Sequence, residues 1–339
     1  MTVLQYKPIA PYVRNRDTAF AVMMDVVIAL LPLYFMAFYF FGLRALLLGL
    51  ASTAAAVVSD FVCILLEGKR PYLRDISSVV TGMILPLLMS AATPYYVVVS
   101  ASVFAIVFVK HVFGGVGQSA FNPAAAGFAF AAACWPAQVF SYPVPFAELE
   151  PFGSVSATLS NGPAWNLFQG GVPTNDIWDL LLGRFLGPMG LTNILVLAAC
   201  LFYLLFRGAI SWQVPAAFFG IMVLSMLLFP RIPESGPMSL VYEATTGMWV
   251  FGGIFMLNEP GTLPKRSSSR LAYGALAAVF TILFQQFGRV EQTFAFALLL
   301  TNVFSFTLDR YSERLLRRLR RVYLATRTKL SEKKTAQRA

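Results

Sequence analysis

Residues 113–123 read Phe-Gly-Gly-Val-Gly-Gln-Ser-Ala-Phe-Asn-Pro and interrupt an otherwise strongly apolar stretch. Gly114-Gly115 and Asn122-Pro123 disfavour helix, so one regular span cannot run through this segment. In a bilayer every backbone N–H and C=O group needs a partner, and broken backbone survives only where it faces a protein-lined cavity. Transporters and ion-coupled enzymes build their sites at such breaks. A weaker copy follows at residues 287–293. The alternative interpretation is that both segments are ordinary interhelical turns.

The composition is that of a polytopic membrane protein. Of 339 residues, 58% are apolar and 12% are charged, and the mean hydropathy is +0.68. Soluble domains carry about 25% charged residues. The three cysteines, Cys63, Cys134 and Cys200, lie far apart, and His111 is the only histidine. Because this spacing fits no iron–sulfur, haem or zinc site, we expect no metal in this chain alone, and an organic cofactor for any electrons that it moves.

Ten stretches are candidate spans, since a helix that crosses a bilayer needs about 20 apolar residues. The third and fifth are short or interrupted by Gly and Pro, and we expect them to be broken or re-entrant. The first begins near Phe20 and is too long for the apolar core of a signal peptide. The candidates are residues 19–41, 45–66, 76–93, 95–112, 119–136, 186–206, 212–229, 240–257, 271–287 and 292–308.

Lys and Arg are distributed unevenly between the two sides of these spans. With the N-terminus in the cytoplasm, 22 of the 26 Lys and Arg residues fall on the cytoplasmic side, as the positive-inside rule requires. The loop from Ala137 to Gly183 contains acids but no Lys or Arg, so we place it outside the cytoplasm. We expect the basic C-terminal tail to rest on anionic lipid of the bilayer. Topology explains the net charge of +10, and nucleic acid is not an expected partner.

Short motifs indicate an internal repeat. Thr81-Gly82-Met83 recurs as Thr246-Gly247-Met248, and Phe113-Gly114 recurs as Phe287-Gly288. Each half then has five spans, and an odd number inverts the second half in the membrane. The sequence therefore predicts an all-α polytopic membrane protein of about ten transmembrane helices, in two inverted five-helix repeats with broken helices. Its predicted segments are a cytoplasmic N-terminal arm (1–18), a first membrane repeat (19–136), an extracytoplasmic loop (137–185), a second membrane repeat (186–308) and a basic cytoplasmic tail (309–339).

Several separated motifs resemble one family. They are Asp75-Ile76-Ser77-Ser78-Val79-Val80-Thr81-Gly82, Lys110-His111 followed by Phe113-Gly114-Gly115-Val116-Gly117, Phe121-Asn122-Pro123-Ala124 and Glu259-Pro260-Gly261-Thr262-Leu263-Pro264. With these motifs in this order, the chain resembles the D subunit of the Rnf ferredoxin:NAD oxidoreductase, a relative of the B subunit of the sodium-pumping NADH:quinone oxidoreductase. The resemblance extends from about Tyr12 to Leu308. The resemblance implies a subunit of a multi-subunit redox pump in the bacterial cytoplasmic membrane, and the distribution of Lys and Arg places both termini in the cytoplasm.

The resemblance also implies a covalent FMN, joined through its phosphate to a threonine by a flavin transferase. In the family that threonine ends a Ser-Gly-Ala-Thr motif, and here the corresponding stretch ends in Ser156-Ala157-Thr158. Thr158 is therefore the expected attachment residue, with Ser156 in place of the family's glycine. Trp165 is a candidate to wall the flavin, the alternative being a core or interfacial aromatic. Arg184 is a candidate to pair with the flavin phosphate, the alternative being an anchor at the start of a helix. The sequence leaves open whether a second, non-covalent flavin binds between the two halves.

Acids and backbone breaks in or near the spans are candidates for an ion pathway, because unpaired charge in a membrane is costly and often functional. The carboxyl candidates are Asp60, Glu243 and Glu259. Hard cations prefer oxygen ligands, and the breaks at Gly114, Gly115 and Asn122 could supply backbone carbonyls. Nothing in these residues separates Na⁺ from H⁺.

Three functions fit the sequence. The first is a flavin-bearing subunit of an Rnf-type complex, which relays electrons between ferredoxin and NAD couples and is coupled to Na⁺ or H⁺ translocation. Such a chain belongs to a translocating oxidoreductase, and we expect no complete catalytic site in it alone. The second is a ten-span transporter for a small solute. The third is a structural subunit of the complex that carries no cofactor.

Overall fold

The computed structural model describes residues 19–68, 75–115, 117–153, 157–173, 175–191, 193–230, 232, 236–288 and 292–314. The predicted N-terminal arm and most of the predicted basic tail lie outside these residues. The helices are α1 (Ala19–Phe41), α2 (Leu43–Leu66), α3 (Ser77–Leu87), α4 (Tyr95–Phe104, continued by a π-helix over Ala105–His111), α5 (Pro123–Cys134), α6 (Pro136–Val139), α7 (Pro163–Phe168), α8 (Ile177–Leu182), α9 (Ile194–Arg207), α10 (Gln213–Leu228), α11 (Gly236–Thr246), α12 (Met248–Phe255), α13 (Ser267–Phe287) and α14 (294–314). A 3₁₀ turn covers Met189–Leu191, and β1 (Tyr142–Pro143) pairs antiparallel with β2 (Leu159–Ser160).

Within the described residues, three helices, α1, α2 and α13, are long and apolar enough to cross a membrane. Shorter apolar helices lie at α3, α4 with its π-helical extension, α5, α9 and α10. Large apolar side chains on the outer faces of α1 and α2 stay exposed, among them Phe35, Leu50 and Leu66. Exposed apolar faces of this kind are typical of helices that contact lipid. The chain is therefore a mostly helical, polytopic membrane protein, while the number of ten spans and the inverted repeat stay predictions.

Helices interrupted within predicted spans are a consistent feature of the fold. At about 1.5 Å per residue, the 11 residues of α3 and the 12 of α5 are too short to cross alone, as expected for the third and fifth candidates. The predicted single span over residues 240–257 is wrong in one respect: the structure divides it at Gly247 into α11 and α12. A side chain at Gly247 would meet the Trp249 ring and the Glu243 carbonyl within 2.5 Å.

Residues 88–93 continue α3 as irregular backbone and are buried. Partners elsewhere in the chain satisfy their polar groups: the Ala91 carbonyl accepts from Arg44 Nε at 3.0 Å, and the Met89 carbonyl accepts from the Met189 amide at 3.1 Å. Thr93 Oγ1 donates to the Gln138 carbonyl at 3.2 Å. Irregular backbone at membrane depth is tolerated only when protein satisfies it in this way.

Gly82, in the Thr-Gly-Met motif of α3, lies where this helix packs against α2. A Cβ atom at this position would be 2.6 Å from Thr53 Cα and 3.1 Å from the Ala56 methyl carbon. Because the nearest obstacle is backbone, the two helices would have to separate. The motif thus sets how closely α3 approaches α2.

We expect Gly82→Ala to lower thermal stability in detergent, by an amount on the order of 1–3 kcal/mol for an overpacked helix interface. Gly220→Ala is the matched control, because Gly220 lies in α10 with no atom within 4 Å of an added Cβ. The control should leave the melting temperature unchanged or raise it slightly, since alanine favours helix. Equal melting temperatures for Gly82→Ala and wild type would contradict the close contact.

Candidate functional sites at the two ends of the bundle

Two groups of candidate residues lie at opposite ends of α2. Its 24 residues correspond to a length of about 35 Å. Arg44, in the first turn, contacts the loop that follows α6. Asp60 and Glu67, at the other end, contact the π-helix. We call these the loop end and the network end.

Lys110 is the centre of the network end. Its Nζ lies 2.8 Å from Asp60 Oδ1 and 3.0 Å from Asp75 Oδ2, and its side chain is 4% exposed. Asp60 Oδ2 also accepts a hydrogen bond from Ser78 Oγ at 2.9 Å. A buried charge is tolerated only when it is paired in this manner. Asp60, predicted as an ion pathway residue, is therefore already engaged by a cation and a hydroxyl.

His111 extends this network to a third carboxylate. Its Nε2 lies 2.7 Å from Asp60 Oδ1, and its Nδ1 lies 2.8 Å from Glu67 Oε1. An ionised carboxylate only accepts hydrogen bonds, whereas a neutral imidazole donates from one nitrogen alone. Both contacts are hydrogen bonds only if the ring is an imidazolium or one carboxyl is protonated. The Lys110 network, comprising Asp60, Glu67, Asp75, Lys110 and His111, thus holds a proton besides that of lysine.

The π-helix and the glycine turn after it position this network. A π-helix has i→i+5 hydrogen bonds, is rare, and often marks a functional site. Gly114 and Gly115 have φ angles of 111° and 94°, which favour glycine. The Gly115 carbonyl accepts from the Gln118 amide at 3.3 Å, and the Asn122 carbonyl accepts from the Ala126 amide at 3.0 Å. The break is where the sequence predicted it, but both of these carbonyls already serve local backbone hydrogen bonds.

Asn122 joins the two predicted halves of the chain. Its Nδ2 donates to the Met256 carbonyl at 2.9 Å, and its Oδ1 caps α5 by accepting from the Ala125 amide at 3.0 Å. The side chain is 2% exposed, so both bonds are shielded from solvent. The role that the structure gives Asn122 is to hold the turn after α12 against the start of α5.

A cavity of about 280 Å³ lies beside the Lys110 network and is lined from both predicted halves. Ser77, Thr81, Lys110 and Ser119 come from the first half, and Glu259 comes from the second. The pKa of Glu259 is raised to about 7, chiefly by burial; Lys110 opposes the shift, and the nearby Asp75 carboxylate contributes to it. Glu259 is half-buried and changes charge close to neutral pH. The structure thus brings Asn122, Glu259 and the Lys110 network to one region.

Glu243 lies apart from that region, at the loop end. It is 2% exposed in α11, beside a small cavity of about 30 Å³, which is the volume of about one water molecule. Gln292 contributes a buried Nε2 that has no hydrogen-bond partner within the described part of the chain. Ala164 and Leu167 of α7 cover this cavity. Glu243 therefore lies directly under the helix that follows the predicted flavin residue.

The predicted flavin residues lie on the surface of the loop end. Thr158 is exposed immediately before β2, and Ala157 is half-buried, whereas Ser156 lies outside the described residues. Trp165 is half-buried on α7 and packs against Phe168, with ring centroids 5.3 Å apart. Arg184 is exposed after α8. Within the described residues no hydrogen bond or ion pair joins Thr158 to Trp165 or Arg184.

Sequence reasoning did not predict that the charged residues Asp25 and Arg44 are buried, or which groups they contact. Asp25 of α1 is 7% exposed and accepts from Arg207 Nε at 3.1 Å and from the Tyr203 hydroxyl at 3.2 Å, both on α9. Arg44 is 1% exposed and donates only to backbone carbonyls in the described structure. The one available signal for Arg44 was its position as one of four Lys and Arg residues on the predicted extracytoplasmic side.

Comparison with known proteins assigns this arrangement to a family. The model of the NQR2, RnfD, RnfE family matches residues 8–316. The chain is 29% identical to the D subunit of the Na⁺-translocating ferredoxin:NAD⁺ oxidoreductase complex of Acetobacterium woodii, with 96% of each chain covered. It is 26% identical to the D subunit of the ion-translocating oxidoreductase complex of Haemophilus influenzae, over 89% of this chain and 95% of the relative. The protein of the same name from Psychromonas ingrahamii is 28% identical, over 90% of this chain and 96% of the relative. The resemblance seen in the motifs is thereby confirmed, and the chain belongs to the NQR2, RnfD, RnfE family.

Proposed function

We propose that this chain is the flavin-bearing membrane subunit of an Rnf-type complex, which relays electrons between ferredoxin and NAD couples and is coupled to Na⁺ or H⁺ translocation. The exposed Thr158 hydroxyl carries this proposal, because it lies on the loop that the sequence places outside the cytoplasm. The names of the relatives describe components of an ion-translocating oxidoreductase complex. Partner subunits would supply and accept the electrons, and the complex would lie in the bacterial cytoplasmic membrane with both termini of this chain in the cytoplasm.

The environment of Thr158 fits covalent attachment of FMN. A transferase must reach the hydroxyl, and Thr158 is exposed beside the two-residue pairing of β1 with β2. Attachment joins Thr158 Oγ to the phosphorus of the FMN moiety of a flavin dinucleotide. The pyrophosphate bond breaks, the nucleoside monophosphate leaves, and the hydroxyl proton passes to a base or to solvent. The attached flavin would accept and donate one or two electrons.

The 280 Å³ cavity is the candidate place for a second, non-covalent flavin. Ser77, Thr81 and Ser119 offer hydroxyls, and Lys110 offers a cation. Ligand cavities are usually about 300–1,000 Å³, so this volume suits a ring system more than a whole nucleotide. Such a flavin would lie between the predicted halves, at the other end of the bundle from Thr158.

For ion coupling, Glu243 and Glu259 are stronger candidates than Asp60. Asp60 is held by Lys110, His111 and Ser78, so it is poorly placed to bind and release an ion. Glu243 borders a water-sized polar cavity under the flavin loop, and Glu259 titrates close to pH 7. These two carboxyls would take Na⁺ or H⁺ from opposite ends of the bundle.

The attachment is tested on the complex produced with its flavin transferase. We expect an FMN-mass adduct on the peptide that contains Thr158, and flavin fluorescence that survives a denaturing gel. Thr158→Val should lose both signals, while Ser160→Ala, two residues away on β2 and also exposed, should keep them. An unmodified peptide in the wild type would refute the assignment. If uptake by the isolated subunit accompanied it, the small-solute transporter would be favoured, and normal electron transfer without flavin on this chain would favour the structural subunit.

A further inference from the structure

Arg44 is a buried cation whose hydrogen bonds go to backbone carbonyls. Its Nε donates to the Ala91 carbonyl at 3.0 Å, and its Nη1 donates to the carbonyls of Glu150 and Gly153 at 2.9 and 3.2 Å. Its guanidinium carbon lies 5.3 Å from the centre of the Tyr95 ring, within cation–π range. Burying a charge is costly unless hydrogen bonds compensate, so these carbonyls are held firmly by the first turn of α2.

Tyr95, at the start of α4, holds the same loop at an adjacent point. Its hydroxyl donates to the Pro151 carbonyl, and its ring stacks on Phe152 with centroids 6.4 Å apart. Arg44 and Tyr95 therefore engage three of the four successive carbonyls of residues 150–153. We call this pair the loop clamp.

Apolar burial cannot hold this segment in place. Residues 150–153 are all exposed, and Phe152 is 72% exposed. Gly153 has a φ angle of 105°, a conformation that side-chain-bearing residues rarely adopt. Ordering a loop costs about 1–2 kcal/mol per residue in backbone entropy, so the hydrogen bonds of the loop clamp are what offset that cost here.

Thr158 lies between the loop clamp and a second fixed point. β2 begins at Leu159, which pairs with Pro143, while Ser160 pairs with the buried Tyr142. Only residues 154–157 separate Gly153 from Thr158, so the position of the hydroxyl is constrained from both sides. A hydroxyl already held in an exposed position loses less freedom when an enzyme aligns it for group transfer.

We propose that Arg44 and Tyr95 are positioning residues for flavin attachment, which present Thr158 to the transferase. This inference rests on the proposed function. The inference extends that function by giving Arg44 of α2 and Tyr95 of α4, which precede Thr158 by 114 and 63 residues, the role of holding the modified loop.

The test uses the complex produced with its transferase and measures the fraction of the Thr158 peptide that carries FMN. Arg44→Met and Tyr95→Phe remove the two parts of the loop clamp. Arg44→Lys keeps the charge but lacks the fork that reaches Ala91 and the loop together. Tyr34→Phe is the matched control, because it removes a buried tyrosine bond to the Met83 carbonyl away from the loop. Amide exchange of residues 150–160 and the melting temperature are measured on every variant.

We expect Arg44→Met and Arg44→Lys to lower FMN occupancy about tenfold or more, as loss of charge-assisted hydrogen bonds predicts. Tyr95→Phe, the milder change, should lower occupancy about threefold and still fold. In each case exchange should rise in residues 150–160, whereas Tyr34→Phe should keep full occupancy even if its melting temperature falls.

Full occupancy in folded Arg44→Lys and Tyr95→Phe would overturn the loop clamp and leave the proposed function standing. A wild type without FMN on Thr158 would overturn both. Equal losses of occupancy in Tyr34→Phe and Tyr95→Phe would show a general stability effect and would also overturn the positioning role.

Discussion

Lys110→Met should lower stability in detergent by about 3–5 kcal/mol, as expected when one partner of a buried ion pair is removed. The change keeps the side-chain length but removes the cation that lies 2.8 Å from Asp60 and 3.0 Å from Asp75. Two carboxylates would then share a buried site that has lost the lysine charge, with His111 as the remaining nitrogen partner of Asp60 among the described contacts. Thermal unfolding of the solubilised complex measures the loss.

Two variants sharpen that experiment. Lys265→Met removes an exposed lysine and should change the melting temperature little, since exposed charges contribute about 0–1 kcal/mol. The double variant Lys110→Met/Asp75→Asn should recover part of the loss, because it removes one of the stranded charges. Wild-type stability in Lys110→Met would mean that the network is not a stabilising ion cluster.

Glu259→Gln should make stability less dependent on pH. Burial raises the pKa of Glu259 from 4.5 to about 7, so between these values the folded protein holds a proton that the unfolded chain has released. Stability therefore falls as pH rises from about 4.5 to 7, and the penalty is fully present above pH 7. After allowance for the partial exposure of the side chain, the penalty is about 2–3 kcal/mol.

The amide cannot ionise, so Glu259→Gln should melt at a higher temperature than wild type at pH 8 and at a similar temperature at pH 4.5. Asp179→Asn is a suitable control, because it changes a carboxyl at the loop end, far from the cavity. An equal effect of Glu259→Gln at both pH values would show that the carboxyl is not kept protonated by its surroundings. If Glu259 also takes part in ion coupling, the pH profile of electron transfer should shift in the same variant.

The features that the sequence predicted well are those that depend on local chemistry. The glycines of residues 113–117 and the Asn-Pro pair end one helix and begin the next, because φ preferences and capping act within a few residues. The apolar runs likewise became helices, since a bilayer leaves no other solution for unpaired backbone. The interruption at Gly247 was not predicted, because the contacts that accompany it come from Trp249 and Glu243 in the folded chain.

In contrast to these local features, the partners of the charged residues could not be predicted from the sequence. Asp60 resembled a free intramembrane acid, yet it meets Lys110 and His111, about 50 residues later in the chain. Arg44 counted only as one cation on the sparsely charged side, yet it reaches residues 150–153. Coulombic and hydrogen-bond partners depend on which helices become neighbours, and a single sequence contains no local signal for that.

The sequence by itself therefore determined the class of protein, the helical membrane architecture and the family, because composition, breaks and ordered motifs are properties of the linear chain. Only the tertiary structure decided which acids are neutralised, that Asn122 joins the turn after α12 to α5, and that Arg44 and Tyr95 hold the loop ahead of Thr158. The physical reason is distance. Ion pairs and hydrogen bonds act over about 3 Å, and folding alone brings groups so far apart in the chain within that range.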